Sequence, residues 1–136
     1  MNNRIFVINL KRCINKKEKM KERLKGIDFS MIEAVDGRDL NIEKLKKKDC
    51  NILKEWRDPW SGRNITWGEV GCTLSHCNIY KKCLMENIDN AIILEDDVLL
   101  KDNFKKRLEI LFERLNKYEK GDLCYLGRKS MDDKDV

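Results

Sequence analysis

Apolar residues along the chain fall into short runs that alternate with longer periodic stretches. Arg4-Ile5-Phe6-Val7-Ile8-Asn9 is a β-branched and aromatic run and predicts a buried strand. Asn15 and Glu18 have the spacing of a capping box, so the pattern predicts a helix to Lys25, with Met20 and Leu24 inward and Gly26 as its stop. Phe29 to Val35 predicts a second strand, ended by the turn pair Asp36-Gly37. Residues 38–66 are the least regular: a short lysine-rich helix around Ile42 and Leu45, then a Trp- and Gly-containing loop from Trp56 to Asn64 that carries the one proline, Pro59.

A second capping box, Thr66-x-x-Glu69, predicts a helix to about Glu86. Its expected apolar face is Val70, Thr73, Leu74, Cys77, Tyr80 and Leu84. Asn90 to Leu94 predicts a third strand, and its apolar centre implies burial on both faces. Asp102 is the expected cap of a last helix, with Phe104, Leu108, Leu111, Phe112, Leu115 and Tyr118 on one face and Gly121 at its end. Leu123-Cys124-Tyr125-Leu126 predicts a fourth strand, and Ser130 to Val136 a polar tail. Strands alternating with helices predict the α/β class, a mostly parallel sheet flanked by helices, in a single domain over 1–136.

Three consecutive carboxylates, Glu95-Asp96-Asp97, stand where the third strand ends. Open α/β sheets bind ligands at the carboxyl ends of their strands. In an extended backbone Glu95 and Asp97 would project to one face and Asp96 to the other. Carboxylates that leave room for phosphate oxygens are a common way to hold Mg²⁺ or Mn²⁺ with a nucleotide. The competing reading is acidic residues that cap a helix or solvate a loop. Gly68 and Gly71 near the start of the central helix admit close approach of a ligand, or simply close packing on the sheet. His76 is the only histidine, and Cys72 and Cys83 share its helix stripe. That stripe offers three zinc ligands where closed structural sites use four, so a hydrogen-bonded His76 near the pocket is the preferred reading.

Composition narrows the classes. Charged residues make up 39% of the 136, and the hydrophobic 41% come in organised runs, which argues against disorder. The longest apolar run, Ala91-Ile92-Ile93-Leu94, is far short of the roughly 18 residues of a membrane span. The N-terminal run is too short for a signal-peptide core, so a cytoplasmic location is the expectation. The six cysteines form no C-x-x-C pair and are expected to be reduced. Net charge is 29 − 24 = +5, compatible with an anionic partner. The lysine-rich segments interleave with glutamates and lack aromatic platforms, so a nucleic-acid-associated protein ranks last.

Five blocks in order carry a family resemblance: Val7-Ile8-Asn9-Leu10-Lys11-Arg12, Ala34-Val35-Asp36-Gly37, Thr66-x-Gly68-Glu69-x-Gly71-Cys72-x-x-Ser75-His76, Ile93-Leu94-Glu95-Asp96-Asp97-Val98 and Tyr125-Leu126-Gly127. Together they resemble glycosyltransferase family 25, which includes lipooligosaccharide and procollagen galactosyltransferases. The resemblance implies the nucleotide-binding half of an A-type glycosyltransferase fold, a UDP-galactose or UDP-glucose donor, and Mn²⁺ or Mg²⁺. It implies a hexose passed to a hydroxyl on a glycan or hydroxylysine-type acceptor. By the same analogy Asp97 and Glu95 are metal ligands in a DxD-like motif. Asn9, Leu10, Arg12, Asp36 and Gly37 border the nucleotide, and Gly68, Glu69, Ser75, His76 and Asp96 shape the same pocket. The family pattern continues past Tyr-Leu-Gly with an acceptor site, a further metal ligand and the base, so no catalytic base is named here. The resemblance therefore implies a donor-binding portion: active, a truncated non-catalytic relative, or part of an oligomeric or complementing enzyme.

Overall fold

The computed structural model describes residues 2–48, 50–53, 55–117 and 123–127. The chain divides into two compact units, Met1–Leu99 and Leu100–Val136. The first contains β1 (Asn3–Asn9), α1 (Ile14–Arg23), β2 (Ser30–Glu33), a 3-10 turn (Gly37–Asp39), α2 (Ile42–Lys46), α3 (Trp67–Met85) and β3 (Asn90–Glu95). The second contains α4 (Phe104–Lys117).

The strands form one sheet in the order β2-β1-β3, and both pairings are parallel. This is the expected α/β class, with a parallel sheet and flanking helices. The chain winds from β1 to β2 on one side and then crosses back to place β3 on the other. The carboxyl ends of β1 and β3 thus meet where the winding reverses, the place at which open α/β sheets form their ligand crevice.

β1 takes the central position because its residues are apolar on both faces. Phe6 and Ile8 pack with Ile79 of α3, joined by Ile32, Ala34, Cys83, Ile88 and Ile93. Ile5 and Val7 project to the opposite face by the two-residue alternation of a strand and are also buried. α1 contacts β1 and contributes Met20 and Leu24, both fully buried as the sequence predicts. A buried side chain of this size stabilises the fold by roughly 1.5–3 kcal/mol.

Several boundaries differ from expectation. Asn15 lies inside α1, and Cys13 precedes the helix without a side-chain cap. The helix start is set by the backbone turn Cys13 N–H to Leu10 O (2.8 Å) and by Asn9 Nδ2 donating to Cys13 O (3.2 Å). Gly26 takes a left-handed φ of 78°, open to glycine without strain, just beyond the end of α1. The buried stripe of α3 is Val70, Gly71, Ser75 and Ile79; of the face expected from hydropathy, Val70 is buried, Leu74 and Cys77 are half-buried, and Thr73, Tyr80 and Leu84 are exposed. Small residues win because the helix comes so close that a Cβ on Gly71 would lie 2.5 Å from Val35 O.

In the second unit Leu108 is buried, while Phe104, Leu111 and Phe112 are half-buried. Asn103, at φ 62°, immediately precedes α4, so Asp102 stands one place further out than a cap. Residues 123–127 form no strand, and Leu123, Tyr125 and Leu126 are exposed. β-propensity cannot replace the ladder partner that makes a strand. The side chain of Leu115, together with Tyr118, Gly121 and the tail from 130 to 136, lies outside the described residues.

Candidate functional site

The carboxyl edge of the sheet is built differently on its two faces. On the α1 face, Asn9 ends β1, and its buried amide donates to Asp96 Oδ2 at 2.7 Å. Lys16, in the first turn of α1, donates to Asp96 Oδ1 at 2.9 Å and lies 3.9 Å from Asp97 Oδ2. The hydrogen bond to Asp96, reinforced by the charges of Asp96 and Asp97, raises the Lys16 ammonium above its ordinary value. Both oxygens of Asp96 are therefore occupied. Asp97 is largely exposed, and among the described residues its contact is the longer one to Lys16.

On the α3 face, parallel register sets Glu95 beside Ile8, whose side chain points to α3. Glu95 Oε1 lies 3.7 Å from Cys72 Sγ and 3.9 Å from His76 Nε2. His76 Nδ1 lies 3.0 Å from the Cys72 carbonyl, which can only accept, so Nδ1 carries the proton and Nε2 presents a lone pair. Partial burial, and then the neighbouring Glu95, raise the Cys72 thiol above its ordinary value. Glu95 and Asp97 do not share a face as an extended backbone would place them. β3 stops at Glu95, and Val98 N–H closes a turn onto Glu95 O at 3.2 Å.

Backbone-to-backbone packing of α3 on the turn after β2 forms the remaining wall. A side chain at Gly37 would collide with the Trp67 carbonyl, and one at Gly71 with that of Val35. The predicted capping box is present: Thr66 Oγ1 accepts from Glu69 N–H, and Glu69 accepts from Thr66 N–H at 2.8 Å. Arg63 grips the same carboxylate with two bonds, of 2.7 and 2.8 Å. Those contacts, Arg63 foremost, hold the Glu69 carboxyl far below the usual range. Ser75, although polar, is buried because its hydroxyl donates to Gly71 O at 2.7 Å and accepts from Val35 N–H at 2.8 Å. Asp36 caps the 3-10 turn through Arg38 N–H at 3.0 Å and pairs with Arg12.

These walls enclose an open cleft of about 480 Å³. Of the residues expected from the sequence, Leu10, Arg12, Asp36, Gly37, Gly68, Ser75, Glu95 and Asp96 line it. Asn9 lies beneath, holding Asp96 in place. Glu69 is committed to the cap and Arg63, while His76 backs onto Cys72 and Glu95. Asp97 lies outside the lining, exposed in the turn that follows β3. Arg38, Leu40, Trp67 and Cys72 also line the cleft. None of the first three was singled out from the sequence, nor was Lys16. A signal existed for Lys16: a helix that follows a parallel strand begins at the carboxyl edge, so its first turn faces the acidic end of the neighbouring strand.

The family profile described as "Glycosyltransferase family 25 (LPS biosynthesis protein)" matches residues 2–135. The chain is 41% identical over 130 residues to "Inactive glycosyltransferase 25 family member 3" of Mus musculus, covering 93% of this chain and 22% of that protein. It is 40% identical to "Procollagen galactosyltransferase 1-B" of Xenopus laevis and 38% identical to "Procollagen galactosyltransferase 2" of Homo sapiens. Each of these two alignments covers 93% of this chain and 21% of the relative. The chain thus spans about a fifth of the length of these relatives. The match covers β1, the glycine-packed turn, the capped α3 and the acidic end of β3, the elements that build the cleft. This chain belongs to glycosyltransferase family 25.

Proposed function

We propose that the cleft binds the nucleoside diphosphate of a sugar donor, UDP-galactose or UDP-glucose, together with Mn²⁺ or Mg²⁺. In this reading the chain is the donor-binding part of an enzyme that transfers the hexose to a hydroxyl of a glycan or hydroxylysine-type acceptor. The observation that carries it is the position of the cleft: it opens where β1 and β3 end side by side, bordered by cations and by an acidic turn.

The residues divide the work. Arg12 and Arg38 line the cleft and supply positive charge for a diphosphate. Leu10, Leu40 and Trp67 supply an apolar wall for a base or ribose. Asn9 and Lys16 hold Asp96 rigid at the lip. A hard cation binds through one or two carboxylates plus phosphate oxygens, and the exposed oxygens of Asp97 suit that donor set. The bound ion would offset the negative charge that gathers on the departing diphosphate.

Calorimetric titration of the chain with UDP tests this. Binding in Mn²⁺ should be at least about tenfold tighter than without metal, a gap of ~1.4 kcal/mol, and the gap should close in Asp97→Ala. UDP affinity that ignores both metal and Asp97 would contradict it.

A second reading keeps donor binding without transfer. It is favoured by the 41% identity to a relative named inactive, level with the identity to relatives named galactosyltransferases. Hydrolysis or transfer of the sugar nucleotide by a chain that binds UDP decides between the two.

A further inference from the structure

We infer that Cys72, His76 and Glu95 form a second, separate cation site, selective for a thiophilic divalent ion such as Zn²⁺. One ligand atom from each lies within 4.8 Å of the others. A tetrahedral zinc ion with Zn–S of about 2.3 Å and Zn–N and Zn–O of about 2.1 Å sets its ligand atoms about 3.4–3.6 Å apart. Here Sγ to Oε1 is 3.7 Å and Nε2 to Oε1 is 3.9 Å, and the three ligand atoms lie within 4.8 Å of one another, so side-chain rotations that shorten these gaps close the set.

The surrounding structure is arranged as such a site requires. His76 Nδ1–H donates to the Cys72 carbonyl, which fixes the tautomer and turns the Nε2 lone pair toward Glu95. Cys72 and His76 stand four residues apart on α3, hence on one helix face, and the rigid end of β3 supplies Glu95. The donor set of thiolate, imidazole and one carboxylate suits Zn²⁺ better than Mg²⁺ or Mn²⁺, which prefer oxygen. On binding, the Cys72 thiol gives its proton to solvent and the sulfur bonds the metal as thiolate, while the imidazole and carboxylate enter without losing a proton.

Three protein ligands leave one coordination position for water or for an oxygen of a cleft occupant. Cys72 and Glu95 both line the cleft, so the ion would sit in its wall and draw Glu95 toward α3. The hard cation proposed for the nucleotide then relies on Asp97. The zinc site does not depend on the nucleotide reading.

The test uses the reduced full chain with Co²⁺ alone, then Zn²⁺ alone, and no nucleotide. One Co²⁺ per chain should bind with a thiolate-to-cobalt charge-transfer band, and Zn²⁺ should abolish the band by displacement. Cys72→Ser should lose the band. His76→Gln and Glu95→Gln should each weaken Zn²⁺ by about tenfold or more, as loss of a ligand does. Cys77→Ser and Asp97→Ala should keep both signals, and circular dichroism on every variant separates site loss from unfolding. Absence of the band in the unaltered chain, or its persistence in folded Cys72→Ser, overturns the inference. A chain that binds Co²⁺ through Cys72 and ignores UDP overturns only the nucleotide reading; the reverse pattern overturns only this one.

Discussion

Glu95 and Asp96 are consecutive in sequence, yet one faces α3 and the other faces α1. On the α1 side every partner is already in place: Asn9 and Lys16 take both oxygens of Asp96. On the α3 side Glu95 accepts one long hydrogen bond, from the Cys72 thiol at 3.7 Å, and lies 3.9 Å from His76 Nε2. The first arrangement is a closed electrostatic brace that stiffens the lip. The second is an open donor set that gains most from a ligand it does not yet hold. The end of β3 at Glu95 and the turn that follows it divide a run of like charges into two environments of different chemistry.

The largest expected effect lies in the core packing at the end of α1. Leu24→Ala should cost about 2–5 kcal/mol, since Leu24 is fully buried. Leu84→Ala on α3 should leave the denaturation midpoint unchanged, because Leu84 is exposed although hydropathy alone would bury it. Equal losses in the two variants would erase the asymmetry between the helices.

Next in size is Gly71→Ala. Its new methyl meets backbone rather than a side chain that can turn away, so overpacking should cost about 1–3 kcal/mol and reshape the cleft wall. A fully stable Gly71→Ala chain would mean that α3 sits further from the turn than described. Lys16→Met should change global stability by less than about 1 kcal/mol, as exposed ion pairs contribute little. It should still loosen Asp96, readable as a changed chemical shift of the Asn9 side-chain amide that donates to it.

The smallest effect is confined to acid. Glu69 titrates far below its ordinary 4.5, chiefly because of Arg63, so its contribution to stability is complete above pH 4.5 and declines as pH falls below that value. Urea midpoints of the unaltered chain should drop below about pH 4.5 more steeply than those of Glu69→Gln. Parallel curves would show that the Arg63–Glu69 grip is absent in solution.

Much of this architecture is legible in the amino-acid sequence alone. The run Ile5 to Ile8, the Thr66–Glu69 box and the buried pair Met20 and Leu24 are local signals, each sufficient to place its own element. The acidic end of β3 is legible as a candidate site, because strand termini are where open α/β sheets bind ligands. What failed depended on distant neighbours. Tyr80 and Leu84 were expected inside because hydropathy favours them, but Gly71 and Ser75 set the contact distance of α3. Leu123 to Leu126 has strand composition and no ladder. Glu95 and Asp97 were expected to share a face, and a turn one residue after Glu95 separates them. Arg38, Leu40 and Trp67 come from the irregular stretch and from a helix end, where no period marks a side chain as facing a cleft.

The proposed function puts a nucleoside diphosphate and its metal in the crevice between the ends of β1 and β3. Crystals grown with UDP and Mn²⁺, measured at the manganese absorption edge, test it most directly. One anomalous peak is expected beside Asp97, with the diphosphate close to Arg12 or Arg38. A crevice without nucleotide, or nucleotide bound with no manganese near Asp97, would contradict it.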